Sequence, residues 1–527
     1  MTAAATGTKG NTLALAGLIV AVSMTTIDQT IVALSAPTIQ QNLGLSHDGM
    51  QWAVNVYLLT TAAFFLLGGR MADLFGHKKM ALIGIAGFGV TSLLCGLAPT
   101  GDWAEPALVA ARALQGVFGA IMFPAAIGIV VQGFERERRG RAMAAFFAIT
   151  GAMTCVGPIA GGYLTQWTWR AIFWVNVPLA VLAFVIVAIA AAPTPRRHGR
   201  IDGLGAALVA AGMAGVVFGL QQASPWGWSN PGVIGSLVAG VALLAAFVLV
   251  QRRAAQPLLR VDAFRDRGFT LSTLATLFAS IAFVSTFFFL SVYGQVSLQL
   301  SAGETGLLFL KFFIGFVIAS RLGSTRFDRS GARGVILIGG VVGAVGFAWL
   351  AATVTTIPTD AGDFLNAQTW PIVVAGAGIG YMLSAVSTDA VNRAVGASYG
   401  EVSAVSQTMK NFGGALGLAV FTTVVTNVLT DKLTASFAAL GAPASAAASA
   451  VQQISGASGG SSSLDALPDA VRAQFVAAVQ NDYAGGVQFA FAGMAIAMAV
   501  VAVLGVLYPK GAVSSVTPAD APVAVAV

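Results

Sequence analysis

Charge is what this sequence has least of. Only 9% of its 527 residues are Asp, Glu, Lys or Arg, whereas a soluble domain carries about 25%. A chain that is 57% hydrophobic and so poor in ions cannot cover a water-facing surface. The composition therefore excludes an ordinary soluble domain and points to a bilayer as solvent. Cysteine is nearly absent. Cys95 and Cys155 both lie in apolar stretches, which excludes a disulfide framework and a CxxC pair. Histidine is confined to His47, His77 and His198, scattered through polar connections, so no metal or haem site is expected. A GxxxxGK[ST] phosphate loop is missing, and with it an ATPase of the chain's own. An enzyme is the weakest reading, because no nucleophile, metal or cofactor constellation is present. The formal net charge of +7 would suggest nucleic acid in a soluble protein. Here the placement of charge matters more than its sum, and no nucleic-acid partner is expected.

What the sequence does have is about fourteen apolar segments of membrane-spanning length between residues 12 and 508. They predict an all-α membrane protein. "MTAAATGTKGNT" precedes the first segment without a basic region or a clean cleavage site, so that segment reads as an uncleaved span. Connections after even-numbered segments, with Lys9 and Lys510, hold about 22 of the 28 basic residues. The opposite side holds only Arg170, Lys432 and Arg472. An excess of basic residues marks the cytoplasmic face, so both termini are expected there.

One turn recurs. "GGRMADLFGHKK" follows the second segment and "GSTRFDRSGAR" follows the tenth. Asp73, Gly76 and Lys78 align with Asp328, Gly331 and Arg333. The spacing predicts two six-helix halves in parallel orientation, 12–192 and 268–508, with an inserted helix pair at 203–251. A pair preserves the orientation of the second half, where a single helix would invert it. The last outer connection, about 428–486, contains the low-complexity run "SGASGGSSS" and is read as a long loop. Within it, "DAVRAQFVAAVQ" at 469–480 could form a short amphipathic helix.

Four charges fall inside spans: Asp28, Arg112, Lys311 and Lys410. Each costs about 2.5–3.5 kcal/mol on insertion scales, so each is a functional candidate. Asp28 lies about 22 Å into a core of about 30 Å, in its outer third. Arg112 lies about 9 Å from the outer edge, at the same depth. The two are candidates for one charged network, either as a proton carrier with its tuning cation or as a fixed structural pair. Glu304 and Lys311 share one helix face two turns apart, and are candidates for substrate or coupling contacts, as is Lys410. Phe283 and Phe287 belong to an aromatic-rich segment suited to a greasy or cationic ligand, although most membrane phenylalanines face lipid or neighbours.

Several of these stretches resemble motifs of the major facilitator superfamily. "GGRMADLFGHKK" resembles the signature turn between helices 2 and 3. "LVAARALQGVFGA" at 108–120 looks like the helix-4 motif, with Arg112. "GAMTCVGPIAGGYL" at 151–164 is similar to the helix-5 motif of drug:proton antiporters, with Gly151, Gly157, Pro158, Gly161 and Gly162. "IDQTIVALSAPTI" at 27–39 and "WRAIFWVNVPLA" at 169–180 resemble the fourteen-helix branch, the EmrB/QacA-type multidrug efflux transporters. "STDAVNRA" at 387–394 adds weaker support in the second half.

The resemblance implies a multi-pass protein of the cytoplasmic (inner) membrane that exports hydrophobic or amphiphilic drugs in exchange for protons by alternating access. It implies no cofactor. Two readings stand beside it: a dedicated exporter of a self-made metabolite, siderophore or lipid, and a non-transporting membrane sensor or scaffold. In the leading reading Asp28 and Arg112 couple the proton. A carboxylate holds a proton more readily in an apolar cavity and less readily beside a cation, so alternation between the two makes proton binding state-dependent. Arg70, Asp73, Gly76, Lys78, Asp328, Gly331 and Arg333 form cytoplasmic gate turns, in which Asp73 could pair with Arg70, Lys78 or Arg141. The helix-5 glycines and Pro158 form a pliable packing seam.

Overall fold

A bilayer offers no water to the backbone, so each spanning segment must satisfy its own N–H and C=O groups. Helices do this. The computed structural model describes residues 2–134, 136–194, 199, 201–254, 257–259, 261–357, 365–393, 399–440, 450 and 469–509. In chain order the helices of the first part are α1 (Thr2–Leu43), α2 (His47–Phe75), α3 (His77–Gly96), α4 (Ala104–Gly133), α5 (Arg136–Trp167), α6 (Ala171–Trp174) and α7 (Asn176–Ala190). A hairpin of α8 (Gly203–Trp226) and α9 (Pro231–Arg253) follows. Then come α10 (Arg267–Val296), α11 (Ala302–Ser330), α12 (Ala332–Thr353), α13 (Thr369–Arg393), α14 (Tyr399–Ala439) and α15 (Asp469–Leu507). Among the described residues there is no strand, and twelve helices are long and apolar enough to cross a membrane.

Two departures from the sequence reading have physical causes. The sixth segment is broken into α6 and α7 at Val175. Pro178 supplies no N–H for the carbonyl four residues earlier and its ring crowds that carbonyl. The expected loop at 428–486 is largely helix at both ends, because α14 runs on to Ala439 and α15 begins at Asp469. Hydropathy misses these ends because polar residues dilute them. A helical stripe of Leu429, Leu433 and Phe437 is nevertheless buried, and Phe437 packs edge-on against Phe475, ring centres 4.8 Å apart. The run "SGASGGSSS" at 455–463 lies outside the described residues.

The same packing recurs in both parts of the chain. α2 packs on α4 as α11 does on α13, and α1 on α5 as α10 does on α14. α3 meets α4 and α7, as α12 meets α13 and α15. Between the parts, α14 lies against α2 and α5 against α11. α8 rests on α2 and α14.

The repeated turn recurs in its atoms too. Gly76 and Gly331 each join two helices with positive φ, 93° and 74°, a conformation that favours glycine. Each donates its N–H back four residues, to Ala72 O at 3.0 Å and Phe327 O at 2.8 Å. The base two residues on caps the last helix of its own part. Lys78 Nζ donates to Ala188 O and Ala191 O at 2.8 and 2.7 Å, and an Arg333 terminal nitrogen donates to Val506 O at 3.0 Å. A cation at a helix C-terminus satisfies carbonyls that have no helical partner.

Gly323 lets α11 approach α13 so closely that a Cβ there would lie 1.8 Å from Tyr381 O. Gly235 on α9 has nothing within 4 Å of the equivalent point. Gly323→Ala is therefore expected to cost about 1–3 kcal/mol by overpacking and to lower the unfolding temperature in detergent, with Gly235→Ala close to wild type. Equal midpoints for the two variants would contradict this packing.

Candidate functional site

Asp28 sits mid-way along α1, in a stretch where threonines bond to their own helix. Thr25 Oγ1 donates to Val22 O at 2.7 Å, and Thr30 Oγ1 to Ile27 O at 3.0 Å. These local bonds remove the hydroxyls from competition for the carboxylate. Asp28 is fully buried, and so, to within 1%, is Arg112 on α4. They meet: Arg112 Nη1 lies 2.5 Å from Asp28 Oδ2.

Gln115, one turn after Arg112, closes a triangle. Arg112 Nη1 donates to Gln115 Oε1 at 2.6 Å, and Gln115 Nε2 donates to Asp28 Oδ1 at 3.0 Å. Arg112 Nε donates to Ala53 O of α2 at 3.1 Å. The guanidinium carbon lies 4.3 Å from the centre of the Tyr57 ring, a cation–π contact. Both carboxylate oxygens are thus engaged, and the cation is held by three helices. A buried pair needs such extra bonds to offset its desolvation.

The helix-5 motif packs on the same stretch of α1. A Cβ on Gly157 would fall 1.9 Å from Thr30 Oγ1, and one on Gly161 would fall 2.7 Å from Ile31 Cγ1. Gly162 is buried as well. Gly151 is different, since nothing lies within 4 Å of its Cβ position. The side chain of Pro158 lies outside the described residues. Further bonds fix this seam: Thr26 Oγ1 to Thr150 O at 3.2 Å, and Ser35 with Thr165 at 2.7 Å between hydroxyls. The glycines that let α5 approach pack on Ile27, Thr30 and Ile31, beside the aspartate.

Other sequence candidates lie elsewhere. Glu304 is exposed and closes a capping box with Ser301 at the start of α11. It terminates a helix, which its position three residues after a serine explains. Lys311 is buried, its Nζ 3.5 Å from Asn366 Oδ1, so the two charges do not share one environment. Phe283 and Phe287 are buried in a ring cluster with Phe309, Phe312, Phe313 and Phe316 between α10 and α11. At the first of the repeated turns, Asp73 lies 3.4 Å from His77 Nε2, whereas Lys78 caps α7. Arg70 is half-buried. The side chains of Asp328 and Arg141 lie outside the described residues.

Lys410 lines a cavity of about 20 Å³ where α1, α2 and α4 face α14. Gln29, the residue after Asp28, crosses it with a bond from Nε2 to Asn411 Oδ1 at 3.2 Å. Gln115, Tyr57 and Gln29 escape a charge-based reading. The signal for Gln115 is its spacing, one helical turn from a buried arginine.

The family model described as Major Facilitator Superfamily matches residues 18–418. The chain is 36% identical to the puromycin resistance protein pur8 of Streptomyces alboniger, over 75% of this chain and 78% of that one. It is 32% identical to the tetracenomycin C resistance and export protein of Streptomyces glaucescens, over 77% and 74%. Its fold matches the crystal structure of a bacterial homologue of the human lysosomal transporter Spinster, in an inward-facing, unoccupied conformation. That match has a TM-score of 0.61 at 14% identity and covers 95% of this chain and 97% of that one.

Removing one partner of a buried pair strands the other charge. Arg112→Met is expected to destabilise the protein by about 3–5 kcal/mol, and adding Asp28→Leu to recover part of the loss. Thermal unfolding in detergent checks this. A double variant less stable than Arg112→Met would show that the pair is not coupled.

Proposed function

The chain belongs to the Major Facilitator Superfamily, and we propose that it is a proton-coupled antiporter exporting hydrophobic or amphiphilic small molecules across the cytoplasmic membrane. It is a multi-pass membrane transporter of small molecules and not an enzyme. The observation that carries the proton reading is the Asp28–Arg112–Gln115 triangle, sealed inside the first part and joined to the second through Gln29 and Asn411. Asp28 binds the coupling proton when the central cleft opens to the outside. The neutral acid lets go of Arg112, which keeps its bonds to Gln115 and Ala53 O. Opening to the cytoplasm re-forms the ion pair and releases the proton inward.

Residues 12–192 and 268–508 act as the two rocking halves, and 203–251 as the inserted pair. The recurrence of the same helix contacts on both sides supports this division. α5 lies against α11 of the second half and packs closely on α1 at Thr30 and Ile31, which supports a route from the interface between the halves to the proton site. The turns at Gly76 and Gly331, with Arg70, Asp73, Lys78, Asp328 and Arg333, hold the cytoplasmic ends and act as gates. Lys311 serves the second half as a fixed internal charge. The relatives' own names, with resistance and export in them, favour drug cargo over a self-made metabolite and count against a non-transporting sensor.

One proton entering gains about 2.3 kcal/mol per 100 mV, which supports uphill export of about fortyfold without ATP. In proteoliposomes, Asp28→Asn is expected to abolish export driven by a proton gradient while downhill counterflow of the same compound persists. Persistent counterflow shows that the variant is folded. Gradient-driven export at the wild-type rate would exclude Asp28 as the proton carrier.

A further inference from the structure

The cleft between the halves has an uneven charge inventory. α1 and α2 supply Thr25, Gln29 and Tyr57, and α14 supplies Gln407, Lys410 and Asn411. The walls include the rings of Phe65 and Phe123. Among the described residues no Asp or Glu lines it. The nearest acid in sequence, Asp28, is fully buried and occupied by Arg112 and Gln115. Among the described residues no ion pair or hydrogen bond includes the Lys410 ammonium. A cation inside a membrane domain is expected to be paired. Here the amides and hydroxyls beside it are neutral, and two of the amides, on Gln29 and Asn411, are bonded to each other.

Resting on the transporter reading above, we propose that Lys410 is the anchor of an anionic subsite, so that the exported compounds carry a carboxylate or phenolate on an aromatic or apolar body. The ammonium is compact and has three rotatable donors. It suits a single anionic oxygen, while Phe65 and Phe123 take the ring system. In this conformation the cavity of about 20 Å³ has room for about one water. Substrate enters only as the halves part, breaking the Gln29–Asn411 bond and freeing two amides to bond the ligand. An amphiphilic cation entering the same cleft meets a like charge and no acid to offset it.

Binding of two xanthene dyes of similar shape tests this with the purified full chain in detergent: anionic fluorescein and a cationic rhodamine methyl ester, read by fluorescence anisotropy. Wild type is expected to prefer fluorescein. Lys410→Gln should weaken fluorescein about tenfold or more and leave the cation unchanged. Lys410→Arg should retain anion binding, and Lys410→Glu should reverse the preference. A wild type that binds the cation as tightly as fluorescein overturns the proposal, as does a Lys410→Gln that weakens both dyes equally. The measurement needs no proton gradient, so its failure leaves proton-coupled export standing. Loss of gradient-driven export with the anion preference intact would instead overturn the coupling reading alone.

Discussion

A carboxylate and a guanidinium, both sealed from solvent, hold α1 to α4 at a bond of 2.5 Å. Two further helices meet that contact. α2 contributes a carbonyl and an aromatic face to the cation, and α5 closes over the acid through glycines that leave no room for a Cβ. An ionised pair in a low-dielectric interior survives only when its remaining donors and acceptors are filled. Gln115 does this on one side and Ala53 O on the other. The arrangement is stable while closed. It is also sensitive, because protonating one oxygen removes the charge that holds the cation.

The two halves share more than packing. In each, a glycine with positive φ turns one helix into the next, and the base two residues later bonds the final carbonyls of that half's last helix. The sequence repeat of acid, glycine and base thus has a structural content: it ties the third helix of each half to the sixth. Such a tie would let each part move as a unit, as the proposed rocking about a central cleft requires.

Much of this was legible in the residues, and the limits have physical causes. Among the described residues, twelve helices long and apolar enough to span followed from apolar runs, against about fourteen expected. Equal depth made Asp28 and Arg112 candidates for one network, since two costly charges at one level of a bilayer have reason to pair, but their contact is visible only in the structure. Gln115 was missed because a neutral amide does not stand out among charges in a span, and only its spacing of one helical turn from Arg112 marks it. The capping role of Glu304 depends on its serine partner three residues earlier at the start of α11. The ends of α14 and α15 were hidden by polar residues on their outer faces, although the stripe of Leu429, Leu433 and Phe437 carried the helical period. Lys410 stood out as a charge in a span. Its place on the cleft wall depends on α14 lying against α2, a contact between segments more than 300 residues apart.

The most direct measurement is infrared difference spectroscopy of the protein in liposomes between acid and neutral pH, for wild type and Asp28→Asn. If Asp28 carries the coupling proton, wild type shows a protonated-carboxyl stretch that titrates, and the Asn variant lacks it. Identical difference spectra from the two proteins would contradict the account.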